Sequence, residues 1–165
     1  MNKLMQASLP IKTNNIQMKK LFFLLTALLI SASSYSQILN PVKWSYATKK
    51  IGKNEAIIYM KATIGKGWHI YSQHIEEGGP VKTSFTFSPS KLYKITGPAL
   101  EPKPLTSFEK VFKMNVSYFS NTVIFQQKVS FSKIPVLVKG NIEFMACNDK
   151  QCLPPADVKF SITVK

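Results

Sequence analysis

Apolar and polar residues alternate with a period of two along most of the chain beyond Pro41, the pattern of strands with one buried face. Val42, Trp44 and Tyr46 make the first such run. Ala56, Ile58, Met60, Ala62 and Ile64 make the second, after a Gly52-Lys53-Asn54 turn. Trp68 to Ser72 follow Gly65-Lys66-Gly67, and Glu76-Glu77-Gly78-Gly79-Pro80 is a strong loop signal. Val81, Thr83, Phe85 and Phe87 read as a strand closed by Ser88-Pro89-Ser90, and Leu92 to Thr96 as one ended by Gly97-Pro98. The two prolines in 101–105 mark a loop. Met114, Val116 and Tyr118 alternate, Asn121 turns the chain, and Val123, Phe125, Gln127 and Val129 return. Val136 to Val138, Asn141 to Ala146 and Val158 to Val164 complete the set, and no helical period is present. About eight to ten short strands with turns roughly every ten residues predict an antiparallel β-sandwich. Eleven Phe, six Tyr and two Trp in 165 residues can fill the space between its sheets.

Ahead of this domain, Met18-Lys19-Lys20 and the apolar run Leu21 to Ile30 read as the charged and hydrophobic regions of a signal peptide. Ser34 and Ser36 suit the −3 and −1 positions of a cut before Gln37. The expected organisation is therefore residues 1–36 as leader, with 1–17 an over-called start, and 37–165 as one exported domain. The run is short for a membrane span. A retained anchor is the alternative, whereas stable membrane insertion is not expected after cleavage. No cysteine lies near the cut, which argues against a lipoprotein.

Residues 37–165 carry 18 Lys, no Arg and 8 acidic residues, a formal charge of +10. A basic balance raises nucleic acid or an anionic membrane as a ligand. Lysines scattered through the strands without the arginine fork make a solvated basic surface the expectation, one that still suits an acidic partner face.

The two cysteines lie in Phe144-Met145-Ala146-Cys147-Asn148-Asp149-Lys150-Gln151-Cys152-Leu153-Pro154-Pro155. A strand pattern enters this segment and another leaves it. Asn and Asp favour turns, and four-residue hairpin loops are common. With Asn148 to Gln151 as the loop, Cys147 and Cys152 oppose each other within disulfide reach. A bridge over so few residues stabilises by roughly 2 kcal/mol on the chain-entropy formula. Three readings fit these residues: a structural disulfide, a redox-active pair, or thiols that hold a metal with His69 or His74. The ligand spacing matches no common zinc pattern.

The cysteine segment with its two prolines, together with Gly67-Trp68-His69-Ile70-Tyr71-Ser72, resembles the amino-terminal periplasmic domain of the DsbD thiol:disulfide interchange proteins. The likeness runs from about Trp44 to Lys165. Four residues separate the cysteines here, where some relatives have five. The resemblance implies an all-β, immunoglobulin-like fold in the periplasm, with Cys147 and Cys152 as the catalytic pair. Its implied function is a relay of reducing equivalents to extracytoplasmic disulfide substrates, as an oxidoreductase component without cofactor or metal. It also implies that Cys152 forms the intermolecular bond and Cys147 resolves it. Thioredoxin-fold or membrane-embedded thiol–disulfide proteins are the implied partners, with the donor on a separate polypeptide.

Trp68, His69 and Tyr71 read by pattern as alternating core and surface residues; the resemblance makes them neighbours of the cysteines. Ser107 to Met114 breaks alternation and reads by pattern as an inter-strand loop with one buried aromatic. The resemblance makes it a cap loop over the disulfide, with Phe112 as the covering ring and Phe108 as second choice. The competing reading is a binding module of the same fold with an inert disulfide.

Overall fold

The computed structural model describes residues 39–165 together with Lys19; the remainder of the expected leader and its cut site lie outside the described residues. Residues 40–165 form one compact unit. Residues 39–165 contain no helix, and eleven strands build the domain: β1 (Val42–Lys50), β2 (Glu55–Ile64), β3 (Trp68–Tyr71), β4 (Ser84–Phe87), β5 (Tyr93–Leu100), β6 (Leu105–Glu109), β7 (Met114–Ser120), β8 (Thr122–Phe131), β9 (Val136–Phe144), β10 (Ala146–Asn148) and β11 (Ala156–Val164). Every pairing between them is antiparallel.

The strands pair in three groups, ordered β1-β2-β8-β5, β11-β9-β4 and β10-β3-β7-β6. The alternating positions of β2 and β8 bury Ala56, Ile58, Met60, Ala62, Val123, Phe125 and Val129. From the β11-β9-β4 side, Val138, Ile142, Phe144, Phe160, Ile162 and Val164 join the same cluster. Trp44 packs edge-on to Phe85 and Phe144, with ring centres 6.2 and 5.6 Å away. The aromatic residues thus do what their number suggests, and fill the interior of a sandwich.

Several strand boundaries differ from the pattern reading: Val81 to Thr83 precede β4 rather than belong to it, Met145 separates β9 from β10, and three further differences have a local reason. β5 does not stop at Gly97-Pro98 but reaches Leu100 through an irregularity after Thr96. The buried Gln127 amide donates to the carbonyls of Thr96 (3.2 Å) and Gly97 (3.1 Å), so the displaced backbone keeps its partners. Residues 105–109 are not loop but the edge strand β6, whose five residues show no alternation of burial because little covers them.

β9 is one strand rather than two and runs straight through Gly140. That residue is paired with Phe160 on β11 and Phe87 on β4, whose rings stand 5.5 Å apart. A Cβ at position 140 would collide with the Phe160 ring and the Thr86 carbonyl oxygen. The glycine is a seat for a cross-strand aromatic, not a break.

Gly140→Ala is therefore expected to destabilise the domain by about 1–3 kcal/mol, the usual cost of overpacking. Urea unfolding should show a lower midpoint with an unchanged slope. An unchanged midpoint would mean that Phe160 does not rest on Gly140.

Candidate functional site

The group β10-β3-β7-β6 has two faces, and the cysteine pair belongs to the one turned away from the main core. Residues opposed in an antiparallel ladder share a face, and neighbours along a strand alternate. Ile70 opposes Ala146 and Phe119, and all three are buried in the main core. Their neighbours point the other way. Cys147 opposes His69, and Tyr71 opposes Tyr118. Cys147, Tyr71 and Val116 form a second, smaller buried cluster, flanked by Ile75, Met114, Tyr118 and Met145.

Cys147 and Cys152 are disulfide-bonded across the hairpin, with Cα atoms 4.0 Å apart. The Asn148 amide donates to the Gln151 carbonyl and the Leu153 amide to the Ala146 carbonyl, each at 2.9 Å. These bonds flank the cysteines and leave them as a non-hydrogen-bonded opposed pair, the kind whose side chains come closest. Asn148 also closes the loop with its side chain. Its Oδ1 accepts from the amides of Lys150 and Gln151, each at 2.9 Å.

The two sulfurs have unequal surroundings. Cys147 is 0% exposed, in the second cluster, whereas Cys152 is exposed on the far strand of the hairpin. Pro154 and Pro155 follow and carry no amide hydrogen, so this strand resumes pairing only at Ala156.

His69 and Tyr71 stand together on the cysteine face, with Nε2 and Oη 3.3 Å apart. Burial lowers the His69 pKa, an effect opposed by the negative charges of Glu109 and Asp149. Burial, with Glu109 second, pushes Tyr71 up to about 12. At neutral pH Tyr71 is thus a phenol, and its hydroxyl can donate to His69 Nε2 when that nitrogen is unprotonated. Trp68 lies on the opposite face and packs against the main core.

The segment 105–120 is a hairpin of β6 and β7 with a four-residue tip, Lys110 to Lys113, closed by Lys113 at a positive φ of 54°. Phe112 is half-buried in that tip, edge-on to Tyr71 with ring centres 6.5 Å apart. Phe108 opposes Asn115, away from Tyr71's face, and is 60% exposed. Of the two aromatic residues singled out in the sequence, only Phe112 packs its ring against a residue of the cysteine cluster.

Two acidic residues complete the setting without having been singled out from sequence. Glu109, at the last position of β6, acts on both His69 and Tyr71. Glu101 fixes the chain leaving β3: it accepts from the Ser72 hydroxyl and, at 2.9 Å, from the Gln73 amide. Both follow from long-range pairing, which leaves no local signature. Among the described residues no group of three or more His, Cys, Asp or Glu side chains is placed to hold a metal ion.

The family model for the amino-terminal domain of thiol:disulfide interchange protein DsbD matches residues 37–163. No match was found among curated proteins. Among solved structures, the reduced DsbD amino-terminal domain of Neisseria meningitidis is 17% identical with a TM-score of 0.53, over 77% of this chain and 90% of that one. The amino-terminal periplasmic domain of ScsB from Proteus mirabilis is 15% identical with a TM-score of 0.58; the match covers 78% of this chain and spans about half, 48%, of that one. A chain in the complex between the DsbD and PilB amino-terminal domains of N. meningitidis is 16% identical with a TM-score of 0.50, over 81% and 97% of the two chains. The shared fold is the immunoglobulin-like antiparallel sandwich.

If Phe112 shields the sulfurs, Phe112→Ala should raise the alkylation rate of the reduced thiols roughly tenfold while the melting temperature holds, because thiolate chemistry depends on access. A core aromatic would instead cost about 3–5 kcal/mol on truncation. Rate and melting are to be measured on one sample, well below the transition. A stable variant that reacts no faster than wild type would remove Phe112 as the cap.

Proposed function

Because the chain belongs to the family of DsbD amino-terminal domains, we propose that it is a periplasmic thiol–disulfide exchange domain that relays reducing equivalents through Cys147 and Cys152. The observation that carries this reading is the unequal placement of the two sulfurs. One is exposed on a short hairpin and the other is buried directly behind it. A purely structural bridge of this loop length would stabilise little.

In the loading step, a thiolate of a reduced partner attacks Sγ of Cys152. A mixed disulfide forms, the Cys147–Cys152 bond breaks, and the electron pair leaves on Cys147, which takes up a proton. The partner's second thiolate then attacks its own sulfur in the mixed disulfide and releases Cys152. The partner is oxidised by two electrons and this domain is reduced by two. Delivery to an oxidised substrate reverses the order: Cys152 attacks, and Cys147 resolves. The partner's approach is limited to Cys152, since no solvent path reaches Cys147 directly.

His69, Tyr71 and Phe112 are read as the surroundings that govern this exchange. An uncharged imidazole and phenol beside a buried cysteine leave its thiolate unassisted, so reduced Cys147 rests as a thiol until a mixed disulfide at Cys152 is there for it to resolve. The cap restricts chance thiols. A protein partner is supported by the complex that the N. meningitidis DsbD domain forms with a PilB domain. The ScsB relative is periplasmic, which supports the same location here. Thioredoxin-fold or membrane-embedded thiol proteins remain the proposed donors. Export with cleavage before Gln37 is part of the same reading.

Cysteine variants expressed in the native periplasm test the assignment. With Cys147→Ser, a mixed disulfide at Cys152 cannot be resolved from this side, so trapped partner complexes should exceed those of Cys152→Ser by roughly tenfold. Non-reducing gels and mass spectrometry of the trapped species read this out. Equal trapping by both variants would remove the asymmetry, and trapping by neither would favour an inert disulfide.

A further inference from the structure

The end of the β1-β2-β8-β5 sheet farthest along its strands from β3 presents a second surface feature. The β1–β2 turn, the start of β5 and the end of β8 meet there, because Lys50 opposes Ala56, Glu55 opposes Ser130, and Tyr93 opposes Phe131. Backbone hydrogen bonds tie the three together. The Phe131 amide donates to the Asn54 carbonyl at 2.9 Å, and the Ser132 amide to the Leu92 carbonyl at 3.3 Å.

Each of the three loops carries an exposed aliphatic side chain beside lysine. The first is Lys49-Lys50-Ile51-Gly52-Lys53 with Ile51 44% exposed, the second Lys91-Leu92 with Leu92 50% exposed, and the third Lys133-Ile134 with Ile134 40% exposed. Lys49, Lys50, Lys53, Lys91, Lys94 and Lys133 are all exposed. The acid at this end, Glu55, is already paired with Lys128 at 2.8 Å. Between the loops lies an open recess of about 300 Å³, lined by Tyr93 and Phe131 together with Asn54, Lys91, Leu92, Lys94, Ser130 and Ser132.

We propose that this lysine-rich end is a docking surface for bilayers containing anionic phospholipid. Single exposed aliphatic residues are ordinary, but three on adjoining loop tips, each beside lysine, form one amphipathic surface. Cores of protein interfaces are depleted in Lys and enriched in Arg, and the exposed cations at this end are all Lys. Lysine ammonium groups suit a layer of phosphate headgroups, and the aliphatic tips suit the boundary just below it. Serine and asparagine groups in the recess can hydrogen-bond a headgroup. The contact is peripheral and needs no spanning segment. It also leaves the disulfide, at the other end of the sandwich, free for protein partners, and it does not depend on the redox reading.

The test is co-sedimentation of residues 37–165, which contain the whole described core, with vesicles of phosphatidylglycerol and phosphatidylcholine. Each lysine near an anionic surface raises partitioning about fivefold. Lys50→Glu, Lys91→Glu and Lys133→Glu together should lower binding at least about tenfold, with an unchanged melting temperature. The equally charged control Lys61→Glu, Lys103→Glu, Lys159→Glu should lower it far less. Ile51→Ser with Leu92→Ser, which leaves every charge in place, should weaken binding severalfold. Wild-type binding should vanish on pure phosphatidylcholine and at high salt. No sedimentation with the anionic vesicles would overturn the proposal, as would equal loss in the two triple variants or no loss in the aliphatic one. Binding to polyglutamate but not to vesicles would reassign the surface to an acidic protein.

Discussion

The strict alternation of side chains across the β10-β3-β7-β6 sheet is the constraint on which the site depends. Ile70, Phe119 and Ala146 are drawn into the main core, and that places Cys147, Tyr71 and Val116 on the reverse face. A one-residue slip of β10 against β3 would drive the cysteine into the main core and expose the alanine. The hydrophobic burial that folds the domain is therefore also what fixes the register of the disulfide. No separate device is required to aim it.

The second cluster then decides the chemistry available. Cys147 and Tyr71 are buried there, and burial alone disfavours charge on either. The electrostatic contributions nearby are from acids, Glu109 and Asp149, which oppose formation of a further anion. Cys152, on the outer strand, is exposed and escapes the desolvation. Cys152 is reached from solvent and Cys147 is not, and the proposed division of attack and resolution rests on that asymmetry. Phe112, at the tip of a hairpin that joins the sheet only through β7, packs edge-on to Tyr71 at the rim of this cluster.

Most of the sandwich was legible in the chain because its strands are buried on one face only, which writes a period of two into the sequence. The disulfide hairpin was legible too, from two cysteines around an Asn-Asp turn between strand patterns. What was not legible has physical causes. β6 is an uncovered edge strand, so its residues need not alternate. Gly140 looked like a break because its partner Phe160 is twenty residues away in sequence. Cys147 continues the phase of Glu143 and Met145, the polar side of its strand, and no local pattern reveals that a second cluster waits there. Glu101 and Glu109 act across long loops, which single-sequence reading does not span.

The central claim is that the Cys147–Cys152 bond is exchangeable. Its reduction potential decides this most directly, measured by equilibrating the protein in graded thiol–disulfide buffers and quantifying alkylated thiols by mass. A potential above about −300 mV, within reach of protein thiol donors, is the expected result. A value well below that would mark a bond that thiol partners cannot open and would contradict the exchange function.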